Sequence, residues 1–255
     1  MKKSKKTMNQ FSITLLLFLL VCTTVATAQD KTTLLSGIQA RIYDTFEASF
    51  KEDESKLKAL AQKLTTAWQA EQDRDYAYWA TYTYYYLCLY HGKRQNKEKA
   101  EAANQQGVKL IKAIPQKTSE DYVMLAKLTG LEMMYDQGQA IALSARAEKY
   151  TQKALKLNEQ NLRTYLYMGQ SDFYRPVEYG GGKVVEKNLL KAISLKDTYS
   201  DSPYAPTWGR NEAYATLVQY YLREDQPEKA RVYCAKGLKL FPNDYMLNEL
   251  QKKVK

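Results

Sequence analysis

The sequence predicts an all-α chain built from about five antiparallel helical hairpins stacked side by side. Three observations carry that expectation. Apolar residues recur at spacings of three and four from Leu34 to Leu250, the period of a helix face turned towards a core. No stretch alternates polar and apolar residues for long enough to make a strand. The 11 glycines and 6 prolines are few for 255 residues, and most of them fall at breaks, as they should where short turns join helices.

The clearest hairpin runs from Asn211 to Asp244. Tyr214, Leu217, Val218 and Tyr221 are followed by Ala230, Cys234, Gly237 and Pro242. The small residues Val218, Ala230 and Gly237 allow two antiparallel helices to approach closely, while the large ones fill the space between them. Pro227 suits a first helical turn, with Asp225-Gln226 before it as a plausible cap, and Pro242 stops the second helix. This order of large and small residues resembles the tetratricopeptide repeat (TPR). The resemblance implies a TPR-like superhelical solenoid, an architecture that does not by itself name a ligand.

Earlier units repeat the pattern less regularly. The hairpins are expected at about 33–72, 75–115, 119–158, 161–196 and 209–242. The first would set Leu35, Ile38, Ile42 and Phe46 against Leu57, Leu60, Leu64 and Trp68. In the second, Trp79, Tyr82, Thr83 and Tyr86 carry the first-helix spacing, with Asp75 as its cap and His91-Gly92 as its end. Ala100, Ala103 and Gly107 are the small contacts of its partner helix, which Pro115 terminates. The third has Tyr122, Leu125 and Ala126, then Ala147 and Ala154, with an insertion of about nine residues relative to the last unit. That insertion is expected to lengthen the first helix and the loop around Asp136-Gln137-Gly138. The fourth places Tyr165, Met168 and Gly169 in register but sets Asp172 where an aromatic belongs. It then leaves regular structure through Pro176 and Tyr179-Gly180-Gly181-Gly182-Lys183, and residues 197–208 read as an ordered linker. This arrangement of a Pro-x-x-Tyr-Gly-Gly-Gly-Lys insert, a helix and a Pro206-x-Trp208-Gly209 segment resembles exported TPR-like proteins of the Bacteroidota type, over roughly residues 120–245. Those proteins carry no assigned activity, so the likeness implies location and fold only.

The N-terminus reads as a signal peptide over residues 1–28. Lys2, Lys3, Lys5 and Lys6 form a basic region, Phe11–Val21 a short apolar run, and Ala26-Thr27-Ala28 a cleavage site. The expected product is an exported chain, residues 29–255, periplasmic or secreted and without a membrane span. Lipidation at Cys22 is the weaker alternative, because Val21 is larger than the residue such signals place there. Cleavage removes four lysines and no acid, lowering the formal charge from +10 to about +6. The surplus is dispersed among acids, which reads as a solvated helix surface rather than a nucleic-acid track. Cys88 and Cys234 lie in distant units and are expected to be buried free thiols.

The residue inventory argues against an enzyme, a cofactor or a metal. There is 1 histidine, His91, and no Cys-x-x-Cys pair, so zinc and haem ligation lack ligands. Gly180–Lys183 is not a P-loop, since Val177 stands where the first glycine belongs and Val184 follows the lysine. Tyrosine is the more telling signal: seven lie between Tyr76 and Tyr90, besides Trp79. Taking Trp79 as a packing position puts Tyr84 on the groove side of its helix. The same register puts Arg163, Tyr167, Gln170 and Tyr174 there in the fourth unit, and Glu212, Gln219 and Arg223 in the fifth. A rigid ring with a hydroxyl suits recognition of peptides or sugars. The expected function is a scaffold that binds a protein or peptide on a concave, tyrosine-rich face. The alternatives are a glycan-binding module of the cell envelope and a structural assembly factor of an envelope complex.

Overall fold

A computed structural model of the chain describes residues 31–196 and 202–254; the expected signal peptide lies outside them. The chain divides into a short N-terminal unit ending at Ile38 and a main unit from Gln39 onwards. The helices are α1 (Ile38–Ser49), α2 (Ser55–Glu71), α3 (Arg74–Lys93), α4 (Lys97–Ala113), α5 (Ser119–Glu132), α6 (Ala140–Leu157), α7 (Leu162–Tyr174), α8 (Val185–Ser194), α9 (Arg210–Arg223), α10 (Pro227–Leu240) and α11 (Tyr245–Gln251). No strand occurs among the described residues. From α3 onwards each odd-numbered helix pairs with the even-numbered helix after it, and α3, α5, α7 and α9 also touch in succession. These first helices of the hairpins therefore form one continuous inner layer, backed by α4, α6, α8 and α10. That is a TPR-like helical solenoid.

The repeat positions account for the pairing. In the last hairpin Leu217, Val218 and Ala230 are fully buried, and Tyr221 and Cys234 are 1% exposed. A side chain at Gly237 would meet Leu247 and Tyr214 at 3.0 Å, so glycine sets the spacing of α9, α10 and α11. Burying large side chains such as Trp79 and Tyr221 stabilises the stack by about 1.5–3 kcal/mol each. Helix α11 follows the fifth hairpin as an additional element that the repeat spacing did not announce. Asp244 caps it by accepting the Leu247 amide at 2.9 Å.

Three local expectations are corrected. Asp73, rather than Asp75, caps α3, accepting the Asp75 amide at 2.9 Å. Helix α3 runs past Gly92 to Lys93, and the left-handed residue that follows is Gln95, φ 57°. The insertion in the third unit does not lengthen α5, which has 14 residues, as α9 has. It forms a 3-10 turn at Gln137–Gln139 and extra N-terminal residues of α6, which has 18. Cys88 and Cys234 are free and buried, and burial pushes the Cys88 thiol up to about 12.

Candidate partner-binding face

The inner layer is crossed by the chain itself. Residues 202–209 run back to α1 and α3, more than a hundred residues away in sequence. Ser202 Oγ donates to Asp75 at 3.1 Å, and Trp79 Nε1 donates to the Tyr204 carbonyl at 2.9 Å. The Gln39 side-chain carbonyl accepts the Thr207 amide at 2.9 Å. Trp208 then buries its ring to 4% exposure, stacked on Tyr82 at 5.4 Å, with Nε1 donating to the Tyr78 hydroxyl at 3.0 Å. The segment read as a linker is thus a strap seated on the aromatic end of the inner layer.

Each residue expected on the groove side has a definite place. Tyr84 has its Cβ 3.4 Å from where a Gly107 side chain would begin, which turns its stem towards α4. Tyr85, one position on, faces inward, with Lys127 Nζ 4.9 Å from its ring. Arg163 is committed within the fold. It is 2% exposed, clamps Glu120 with Nε and Nη2, both at 2.7 Å, and donates from Nη1 to the Trp208 carbonyl at 2.9 Å. A guanidinium committed in this way holds the strap rather than a partner. Gln170 donates to Thr216 Oγ1 at 3.2 Å, linking α7 to α9. Tyr167 is half-buried, its hydroxyl 3.3 Å from the position of a Gly130 side chain. Tyr174 is 69% exposed. Gln219 and Arg223 border a groove with Met246 of α11, and Arg223 donates to the Phe173 carbonyl at 2.7 Å. Glu212 pairs with the buried Lys127 at 3.4 Å.

The glycine insert is tightly folded against α7. A Cβ on Gly181 would lie 2.0 Å from the Arg175 carbonyl oxygen, so no other residue fits there. Asp172, 4% exposed, explains its own place in the repeat: its carboxylate accepts the Val184 amide at 2.7 Å and its carbonyl accepts the Gly182 amide at 3.1 Å. An acid occupies the start of α8, where a phosphate would have to sit, so electrostatics disfavours an anion there. The insert presents Val177 and Tyr179, 77% and 72% exposed.

The electrostatics of the inner layer is set by burial. Burial works against the Lys127 ammonium, but Glu212, then Tyr85, outweigh it and hold it above the usual lysine range. Burial raises the phenols of Tyr78, Tyr82, Tyr85 and Tyr86 above the ordinary tyrosine range and pushes Tyr167 up to about 12. A phenol raised on folding contributes stability that is complete below its unfolded value, about 10, and is lost as pH climbs beyond it. The expected result is a cooperative alkaline unfolding above about pH 10. Absorbance at 295 nm should show the exposed tyrosines ionising first and the inner ones only with loss of helix. Inner phenols ionising in step with the exposed ones would contradict it. His91 sits away from the strap, among Glu54, Lys58 and Lys99, and burial lowers its pKa. No cluster of metal-ligating side chains occurs among the described residues, and none of their helices is long and apolar enough to cross a membrane.

No family model matches the sequence, and neither does any curated protein. Among solved structures the chain is similar to the HusA haemophore from Porphyromonas gingivalis, with TM-score 0.52 and 21% identity over 74% of this chain and 94% of that one. It is also similar to a thermophilic TPR protein from Thermus thermophilus, with TM-score 0.54 and 16% identity over 85% of this chain and 98% of that one. At these identities the likeness shows the fold, a TPR-like helical solenoid.

Proposed function

We propose that this chain is an exported, non-enzymatic TPR-like scaffold that binds a protein or peptide partner on the inner face of its helices. The observation that supports this reading is the strap. Its residues are held by a tryptophan indole, a glutamine side chain, a guanidinium on a backbone carbonyl and ring stacking. Those are the means by which an extended peptide is recognised. The strap takes the α3 end of the layer, which leaves Gln170, Tyr174, Gln219 and Arg223 on α7 and α9 as the contacts for a partner. Tyr167 supports the surface from below.

Crosslinking in the native envelope, read by mass spectrometry, tests the proposal. One dominant protein partner is expected, and Tyr174→Ala should weaken its capture about tenfold, the share of an aromatic contact residue worth more than 1 kcal/mol. The thermal midpoint should stay put, because Tyr174 stands in solvent. Tyr167→Ala should cost stability, so the two substitutions belong in separate proteins. Absence of a protein partner with retention on a glycan array would favour the sugar-binding alternative.

The likeness to a haemophore supports a second reading, capture of a flat tetrapyrrole. The side chains offered are aromatic faces. His91, the one histidine of the sequence, is 7% exposed, so stacking rather than histidine ligation would do the holding. Haemin and metal-free protoporphyrin should then bind with similar affinity in a Soret titration. Binding of haemin alone would point to ligation, and binding of neither would remove this reading.

A further inference from the structure

Resting on the partner-binding reading, we infer that the groove between the C-terminal ends of α7 and α9 and the length of α11 takes an apolar side chain of the partner with a carboxylate beside it. The groove is an open depression of about 490 Å³, lined by Phe173, Leu222, Met246 and Leu250, with Arg223 and Lys253 also on its lining. A volume of that size admits a large aliphatic or aromatic side chain with its neighbours. The floor is apolar and partly open to water, since Met246 is 45% exposed.

The charge beside it is organised rather than diffuse. The Arg223 guanidinium lies over the Phe173 ring at 4.3 Å, and Nη1 donates to the Phe173 carbonyl at 2.7 Å. Nε pairs with Glu224 at 3.1 Å. Nη2 has no hydrogen bond among the described residues and lies 3.6 Å from where a Gly182 side chain would begin. The glycine keeps that nitrogen uncovered. The guanidinium is therefore fixed in direction with one edge available, which suits a carboxylate. Lys253 adds a second positive charge. Glu249 also lines the groove, but its carboxylate is paired with Lys252 at 2.5 Å. The balance at the rim favours an anionic neighbour to the apolar anchor, and a lysine or arginine there would meet like charge.

A random-heptapeptide display selection on the purified full chain tests the inference. Enriched peptides should carry Leu, Met or Phe with Asp or Glu one or two positions away. A labelled synthetic copy of the leading peptide should bind saturably and shift the Met246 methyl resonance. Its affinity should fall about tenfold in Arg223→Gln, the loss expected for a charge-assisted hydrogen bond, and further in salt. Met246→Lys, at a position 45% exposed, should abolish it while the helical circular dichroism is unchanged. Two results overturn the inference: enriched peptides without an acid bias, or binding unchanged by Arg223→Gln and Met246→Lys. If such peptides are instead weakened by Tyr174→Ala, the inner-face reading stands and only the groove assignment falls. Failure of any peptide to enrich, together with no partner in the envelope crosslinking, removes both.

Discussion

Replacing Arg163 with alanine should lower the stability of the fold by about 3–5 kcal/mol, the usual consequence of removing one member of a buried ion pair. The guanidinium is 2% exposed and satisfies both oxygens of Glu120 and the Trp208 carbonyl. Its removal strands a partly buried carboxylate and a carbonyl together. Urea unfolding followed by circular dichroism measures the loss. The stranded charge is the largest part of the effect, so the double variant Arg163→Met with Glu120→Leu should recover much of it. A double variant as unstable as Arg163→Ala would show that strap anchorage, not the uncompensated carboxylate, dominates. A single-variant loss below about 1 kcal/mol would place Arg163 in the class of surface ion pairs and contradict its burial.

The repeat spacing made the architecture legible because TPR positions report helix–helix distance. Val218, Ala230 and Gly237 can only be small where two helices touch, and they are small. Register on the second hairpin was harder for a physical reason. Successive helical residues are turned by about 100°, so an error of one position sends a side chain to another face. Helix α3 is apolar almost all round, with Tyr76, Ala77, Tyr78, Trp79 and Ala80 all buried. Such a helix has no polar stripe to fix its orientation, so spacing alone does not separate Tyr84 from Tyr85. Arg163 escaped for a different reason. What it meets is the carbonyl of Trp208, from 45 residues on. Local spacing carries no information about a segment that returns from that far along the chain. Asp172 is the informative departure. A carboxylate standing where the repeat wants an aromatic marks the place where an insert is tied down.

Trp208→Ala should be nearly as costly as Arg163→Ala, about 3–5 kcal/mol for a buried tryptophan, but with a different pattern. The ring stacks on Tyr82, donates to Tyr78 and lies 4.7 Å from Lys127 Nζ. Its loss uncovers a lysine that is 5% exposed and leaves a phenol without its donor. The strap should detach locally before the solenoid unfolds, because its other anchors are hydrogen bonds to Gln39, Asp75, Trp79 and Arg163. Limited chymotrypsin digestion reads that step: cleavage after Tyr204 should accelerate at denaturant concentrations where helical content is unchanged. Trp208→Phe keeps the stacking and gives up only the donated hydrogen bond, a loss of about 1 kcal/mol, and should leave the cleavage rate close to that of the parent. If both variants lose helix and strap together, the strap is an inseparable part of the core. The α3 end of the inner layer is then structural, and partner recognition falls to α7, α9 and α11. If the strap detaches alone, Tyr78, Trp79 and Tyr82 become accessible, and the inner face available to a partner extends to α3. Those two outcomes assign the tyrosine-rich helix either to folding or to binding, which its composition alone could not do.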